Sequence, residues 1–126
     1  QVPFNPPPIS TDPTPAALVA FAAEDAGLLE RYVERVMWRE WAEGQDIGLT
    51  EVLQGVARDV GLAAGAVQTA LDDFTHLARL QENWQEAESL GVIGVPSFVV
   101  GDQIFWGNDR MDFLAEHLTE LGLRKR

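Results

Sequence analysis

Residues 91–114 read GVIGVPSFVVGDQIFWGNDRMDFL, and the reading of this stretch decides the fold. Phe98, Val99 and Val100 are β-formers, Gly101-Asp102 is a turn pair, and Gln103, Ile104, Phe105 and Trp106 supply a second strand close enough to pair antiparallel with the first. One X-Pro bond, Val95-Pro96, precedes this hairpin. After it, Gly107-Asn108-Asp109-Arg110 breaks the strand pattern, and Met111, Phe113, Leu114, Leu118 and Leu121 recur at helical spacing. Asp109 and Arg110 are therefore placed at a helix N-terminus, where backbone N–H groups favour an anion.

Working back from the hairpin, the pattern is helical. Thr14 can cap and Pro15 suits the first position of a helix over 16–26 that Gly27 ends. The next spans 28–43, with Leu29, Tyr32, Val33, Val36 and Met37 on one face and Gly44 as its stop. Thr50 caps a third helix with Val52, Leu53, Val56 and Val60 inward, and a short fourth covers 64–71. Asp73 or Thr75 caps a fifth that carries Leu77, Leu80, Trp84, Ala87 and Leu90. Six of the 7 prolines fall within the first fifteen residues, which reads as a rigid linker packed on the domain, in preference to a PxxP recognition segment. The expected organisation is a proline-rich linker over 1–14, a helical subdomain over 15–90 and a hairpin-plus-helix region over 91–126.

The chain has 126 residues, enough for one domain, and 46% hydrophobic residues place it with ordinary globular proteins. It contains no apolar run long enough to span a membrane and no leader pattern, so a soluble, cytoplasmic protein is expected. A net charge of −11, from 20 acidic and 9 basic residues, argues against nucleic acid and acidic membranes as partners. The terminal Arg124-Lys125-Arg126 is too short to reverse that field. With no cysteine there is no disulfide, thiolate metal site or Cys-x-x-Cys pair in this span. His76 and His117 stand far apart with no second ligand at a metal spacing, so both are expected to be solvated or helix-terminal, and no metal is expected.

The motif G-V-x-G-V-P-S-F-V-V followed by F-W-G-N-D-R-M-D-F-L resembles the family of 2-hydroxychromene-2-carboxylate isomerases and kappa-class glutathione transferases, relatives of the DsbA oxidoreductases. Trp38 to Ile47 (WREWAEGQDI) is similar to the loop of that family's helical insertion, and Leu80 to Ala87 (LQENWQEA) to the helix leading back into the sheet. The resemblance implies an α/β, thioredoxin-like fold of DsbA/kappa type, of which this chain carries the helical insertion and the C-terminal hairpin and helix. The family's opening β-α-β half is not in the sequence, which starts at Gln1 and runs straight into Val-Pro-Phe-Asn-Pro-Pro-Pro. A fragment is expected, in preference to a naturally shortened paralogue, because a lone hairpin under one helix is a poor core.

The resemblance also implies the site. Val95-Pro96 matches the superfamily's cis-proline turn, so the bond is expected to be cis. The main chain of Val95 would then pair with the cysteinyl part of glutathione as an added strand does. Asp109 and Arg110 match the Asp-Arg pair that holds the γ-glutamyl end: a carboxylate for its ammonium, and Arg110 or helix amides for its carboxylate. The competing reading makes Asp109 a helix cap with Asp112 three residues on. Trp38, Trp41, Trp84 and Trp106 could face an aromatic substrate; at least two are expected to be core, Trp84 departs from the family's small polar residue, and only Trp106 is assigned to the substrate pocket. The expected activity of the intact protein is a glutathione-dependent isomerisation or transfer on a small aromatic substrate, by a homodimer, with the nucleophile outside this span and the fragment itself inactive. The rivals are a DsbA-like thiol-disulfide oxidoreductase and a non-catalytic thioredoxin-like binding module.

Overall fold

Asp12 starts the first helix. Its Oδ1 accepts the Thr14 N–H at 2.9 Å, and Pro15 stands in the opening turn of α1 (Thr14–Asp25). Thr14 is thus helical and does not cap, because Pro13 beside it has no N–H and the nearest free acceptor is the Asp12 carboxylate. This is a computed structural model that describes residues 3–122; the first two residues of the proline-rich segment and Arg124-Lys125-Arg126 lie outside the described residues.

The helix expected over 28–43 is divided into α2 (Leu29–Met37) and a π-helical turn (Trp38–Ala42). Carbonyls at the end of such a wide turn lose their regular partners. Here the proline-rich segment supplies them: Asn5 N–H donates to Trp41 O at 2.7 Å, and Asn5 Nδ2 donates to Ala42 O at 2.6 Å. Phe4 stacks on Trp41 with ring centroids 6.2 Å apart. The linker is therefore packed on the helical unit, and Gly44, at φ +67°, leaves room for it: a Cβ there would lie 3.2 Å from Asn5 O.

α3 (Thr50–Val60) is preceded by Leu49 in extended backbone, so Thr50, like Thr14, is helical and caps nothing. α4 (Ala66–Asp72) follows Gly65, which has φ +83°. α5 (Phe74–Ser89) is started by Asp73, whose Oδ1 accepts the Thr75 N–H at 2.8 Å and the Thr75 hydroxyl at 2.6 Å. Those two bonds, the hydroxyl's foremost, hold the Asp73 carboxyl below the usual range.

One cluster built from α1 to α4 forms the core, with Val19, Ala23, Tyr32, Leu53 and Val56 almost fully removed from water. The Tyr32 hydroxyl donates to Ala16 O at 2.6 Å, and burial pushes its phenol well above the ordinary value. The inward stripe of α2 is narrower than expected: Tyr32 and Val36 are buried, while Leu29, Val33 and Met37 are exposed. On α5 only His76 and Leu80 are buried; Leu77, Trp84 and Leu90 are exposed. His76 meets one of the two expected alternatives. It is helix-terminal but not solvated, lying beside the Phe21 ring at 5.8 Å with Nδ1 3.3 Å from Ala70 O. The helical unit is also tied by charge: Arg35 Nε and Arg39 Nη2 each lie 2.7 Å from Asp59 Oδ2, and their hydrogen bonds, that from Arg39 foremost, hold the Asp59 carboxyl low.

This first unit runs to Gln81, and a second begins at Glu82, inside α5 and short of residue 90, because the C-terminal half of that helix buries almost none of its side chains. Within the second unit, β1 (Ser97–Val100) and β2 (Gln103–Trp106) pair antiparallel as Ser97↔Trp106, Phe98↔Phe105, Val99↔Ile104 and Val100↔Gln103. They are the only strands among the described residues. A 3₁₀ turn (Asn108–Arg110) leads into α6 (Met111–Glu120). Phe105 and His117 meet at 5.5 Å, so the Phe98–Phe105 face of the hairpin turns toward α6. Among the described residues no helix is long and apolar enough to cross a membrane.

Candidate functional site

The site begins at the turn before β1. The Val95-Pro96 bond is cis, and Pro96 O accepts the Gly107 N–H at 2.8 Å, one step beyond the Ser97↔Trp106 pair. That bond brings the proline turn next to the loop carrying Asp109 and Arg110. Val95 lies outside the strand pair and is 90% exposed, and among the described residues its main chain makes no hydrogen bond. An N–H and a C=O in that state are available to an extended ligand chain.

Gly107 has φ +98° and ψ 149°, a conformation closed to residues with a side chain. A Cβ there would lie 2.5 Å from Asp109 Oδ1, so the missing side chain leaves the space that the Asp109 carboxylate occupies. Asp109 does not cap α6: Arg110 holds the cap position with no side-chain cap bond, and the Arg110 and Met111 N–H groups are taken by Gly107 O and Asn108 O of the 3₁₀ turn. Asp109 is exposed and, among the described residues, accepts no hydrogen bond. Arg110 is exposed too, its guanidinium carbon 5.6 Å from the centre of the Phe113 ring. A carboxylate and a guanidinium, each without a protein ion partner among the described residues, suit a ligand end bearing both an ammonium and a carboxylate.

Ile104, Phe105, Trp106, Arg110 and Phe113 line a shallow groove of about 420 Å³. Val95, Pro96, Trp106, Asp109 and Arg110 thus all fall within the hairpin unit, Trp106 and Arg110 in one groove. Trp38, Trp41, Trp84 and Trp106 are 39%, 44%, 55% and 51% exposed, so none is core, against the expectation of at least two; Phe4 covers one face of Trp41, and Gly94 meets only an edge of Trp106. Sequence reasoning missed Gly94, Gly107 and Phe113. The glycines carry no side chain to attract attention, and Phe113 reads as one more apolar helix position. No group of three or more metal-ligating side chains occurs among the described residues.

The family described as a DSBA-like thioredoxin domain matches residues 1–119, and the chain belongs to it. Its relatives include a 2-hydroxychromene-2-carboxylate isomerase of Sphingobium xenophagum, 37% identical over 83% of this chain and 52% of that protein. A protein of the same name from Pseudomonas putida is 30% identical over 71% of this chain and 44% of its own length. The solved structure of a 2-hydroxychromene-2-carboxylate isomerase matches with a TM-score of 0.82 at 24% identity, covering 96% of this chain and 59% of that one. The fold is therefore thioredoxin-like of the DsbA type, here mostly helical with a two-stranded antiparallel sheet. The chain spans about half the length of these relatives.

Proposed function

We propose that this chain is the glutathione-binding and substrate-facing part of an isomerase of the 2-hydroxychromene-2-carboxylate type. The observation that carries this reading is the Gly107 N–H to Pro96 O bond, which sets the unbonded main chain of Val95 beside the Asp109-Arg110 loop. The relatives' names supply the reaction class. The residues fit glutathione: the Val95 main chain takes its cysteinyl backbone, Asp109 its ammonium, and Arg110 its γ-glutamyl carboxylate. Pro96 holds the turn's direction and offers no competing N–H. Trp106 provides the aromatic wall of the neighbouring groove. Glutathione, when bound, supplies a thiolate nucleophile for reversible addition to a conjugated substrate. This chain's residues bind and orient it; the residue that activates the sulfur is proposed to lie outside this span, which by itself is inactive. A cytoplasmic homodimer is part of the same proposal.

Calorimetric titration of the protein with glutathione tests it. Asp109→Ala removes a charge-assisted contact worth roughly 1.5–3 kcal/mol, so affinity should fall at least about tenfold. No binding at millimolar glutathione sinks the proposal. In the intact protein, thiol-disulfide exchange without isomerisation would favour the DsbA-like oxidoreductase, and neither activity nor glutathione binding the non-catalytic module.

A further inference from the structure

Gly94 does not need to be glycine for its own backbone, since it is not among the glycines with positive φ. What it lacks is room. A Cβ built on it would lie 2.5 Å from Trp106 Nε1, 3.0 Å from Cε2 and 3.2 Å from Cζ2. The nitrogen-bearing edge of the indole is therefore lodged against Gly94, one residue before the Val95-Pro96 turn. Trp106 also lines the groove with Ile104, Phe105, Arg110 and Phe113. A ring held by its edge keeps a face for stacking, and an indole fixed in place loses little side-chain freedom when a flat ligand lands on it.

We propose that Gly94 is a specificity-determining positioning residue, which seats the Trp106 indole beside the Val95-Pro96 turn so that a planar aromatic ligand stacks next to the bound thiol. The inference rests on the isomerase reading for the thiol; the seat and the aromatic ligand rest on the geometry alone. Any side chain at position 94 displaces the indole. Trp106 stands at the end of β2 with half of its surface exposed, so it can swing outward without disturbing the ladder.

The experiment is a titration of the protein with 2-naphthoate, a stable bicyclic aromatic carboxylate, followed on the indole Nε1–H resonance of Trp106, assigned by its disappearance in Trp106→Phe. Gly94→Ala should move that resonance and weaken 2-naphthoate binding roughly five- to tenfold, the worth of one good aromatic pair. In the Trp106→Phe background, where no indole edge meets the new methyl group, Gly94→Ala should cost nothing further. That non-additivity is a signature a merely structural glycine would not give. An unmoved resonance, an equal loss in both backgrounds, or no 2-naphthoate binding by the unsubstituted protein would overturn the inference. Failure of the isomerase reading looks different: glutathione does not bind, while the 2-naphthoate cycle still reports on Gly94.

Discussion

The helical unit and the hairpin unit divide stability and chemistry between them. The first buries a connected core from four helices, with Val19, Ala23, Leu53 and Val56 fully hidden and the Tyr32 hydroxyl bonded inside. The second has Leu114 as its one buried hydrophobic residue among the described residues, yet carries all five residues assigned to ligands. A two-stranded ribbon under one helix has little apolar area to remove from water. Its shape is set locally, by the strand register, the Gly107-to-Pro96 bond and two glycines that make room for Asp109 and Trp106. Core truncations should therefore read out in the helical unit as stability, and glycine or loop substitutions in the hairpin unit as binding.

The sharpest way to break this division is a pair of matched truncations. Leu53→Ala should cost about 3 kcal/mol of unfolding free energy, since a fully buried leucine leaves a cavity. Ile104→Ala, from a half-exposed strand position, should cost less than about 1 kcal/mol. Chemical denaturation of both variants gives the comparison, and equal losses would show that the hairpin unit holds a core of its own. Next in size is the roughly tenfold or greater loss of glutathione affinity in Asp109→Ala, with the melting temperature unchanged because the carboxylate is exposed. If melting falls with affinity, site and stability are not separate.

Tyr32→Phe should cost about 1 kcal/mol through the lost bond to Ala16 O. Because burial raises the folded-state value of this phenol, its contribution is full below about pH 10, the unfolded value, and is lost as pH rises toward the folded one. The substitution should flatten that alkaline limb, which denaturation midpoints above pH 10 would record. The smallest effect belongs to Asp59. Its carboxyl is held low by Arg39 and Arg35, so its stabilisation is present above the unfolded value near pH 4 and lost as pH falls toward the folded value. Asp59→Asn should remove this acid-side dependence, with a slightly lower midpoint at neutral pH and no difference in acid, a small effect as for other exposed pairs.

Much of this molecule was legible in the residues. Alternation and a Gly-Asp turn at 98–106 predict the hairpin, and its register follows from the two-residue turn. Helical spacing predicts five helices before it and one after, with Gly27 and Gly44 as stops, both in the left-handed region. The motif around Val95-Pro96 and Asp109-Arg110 pointed to the family to which the chain belongs. Caps were less legible, because Pro13 and Leu49 hold the cap positions that Thr14 and Thr50 would fill in isolation.

Sequence by itself determined the local conformations, since propensity, turn chemistry and periodicity act over a few residues. The tertiary structure alone decided which side chains became core: it buried His76 and left four tryptophans partly exposed, because burial depends on what packs across from each face. It alone showed the π-helical turn, whose carbonyls are satisfied by an asparagine some thirty-seven residues away. Gly94 and Gly107 likewise acquire a role only from the neighbours that occupy the space where their side chains would be, a property that no residue carries on its own.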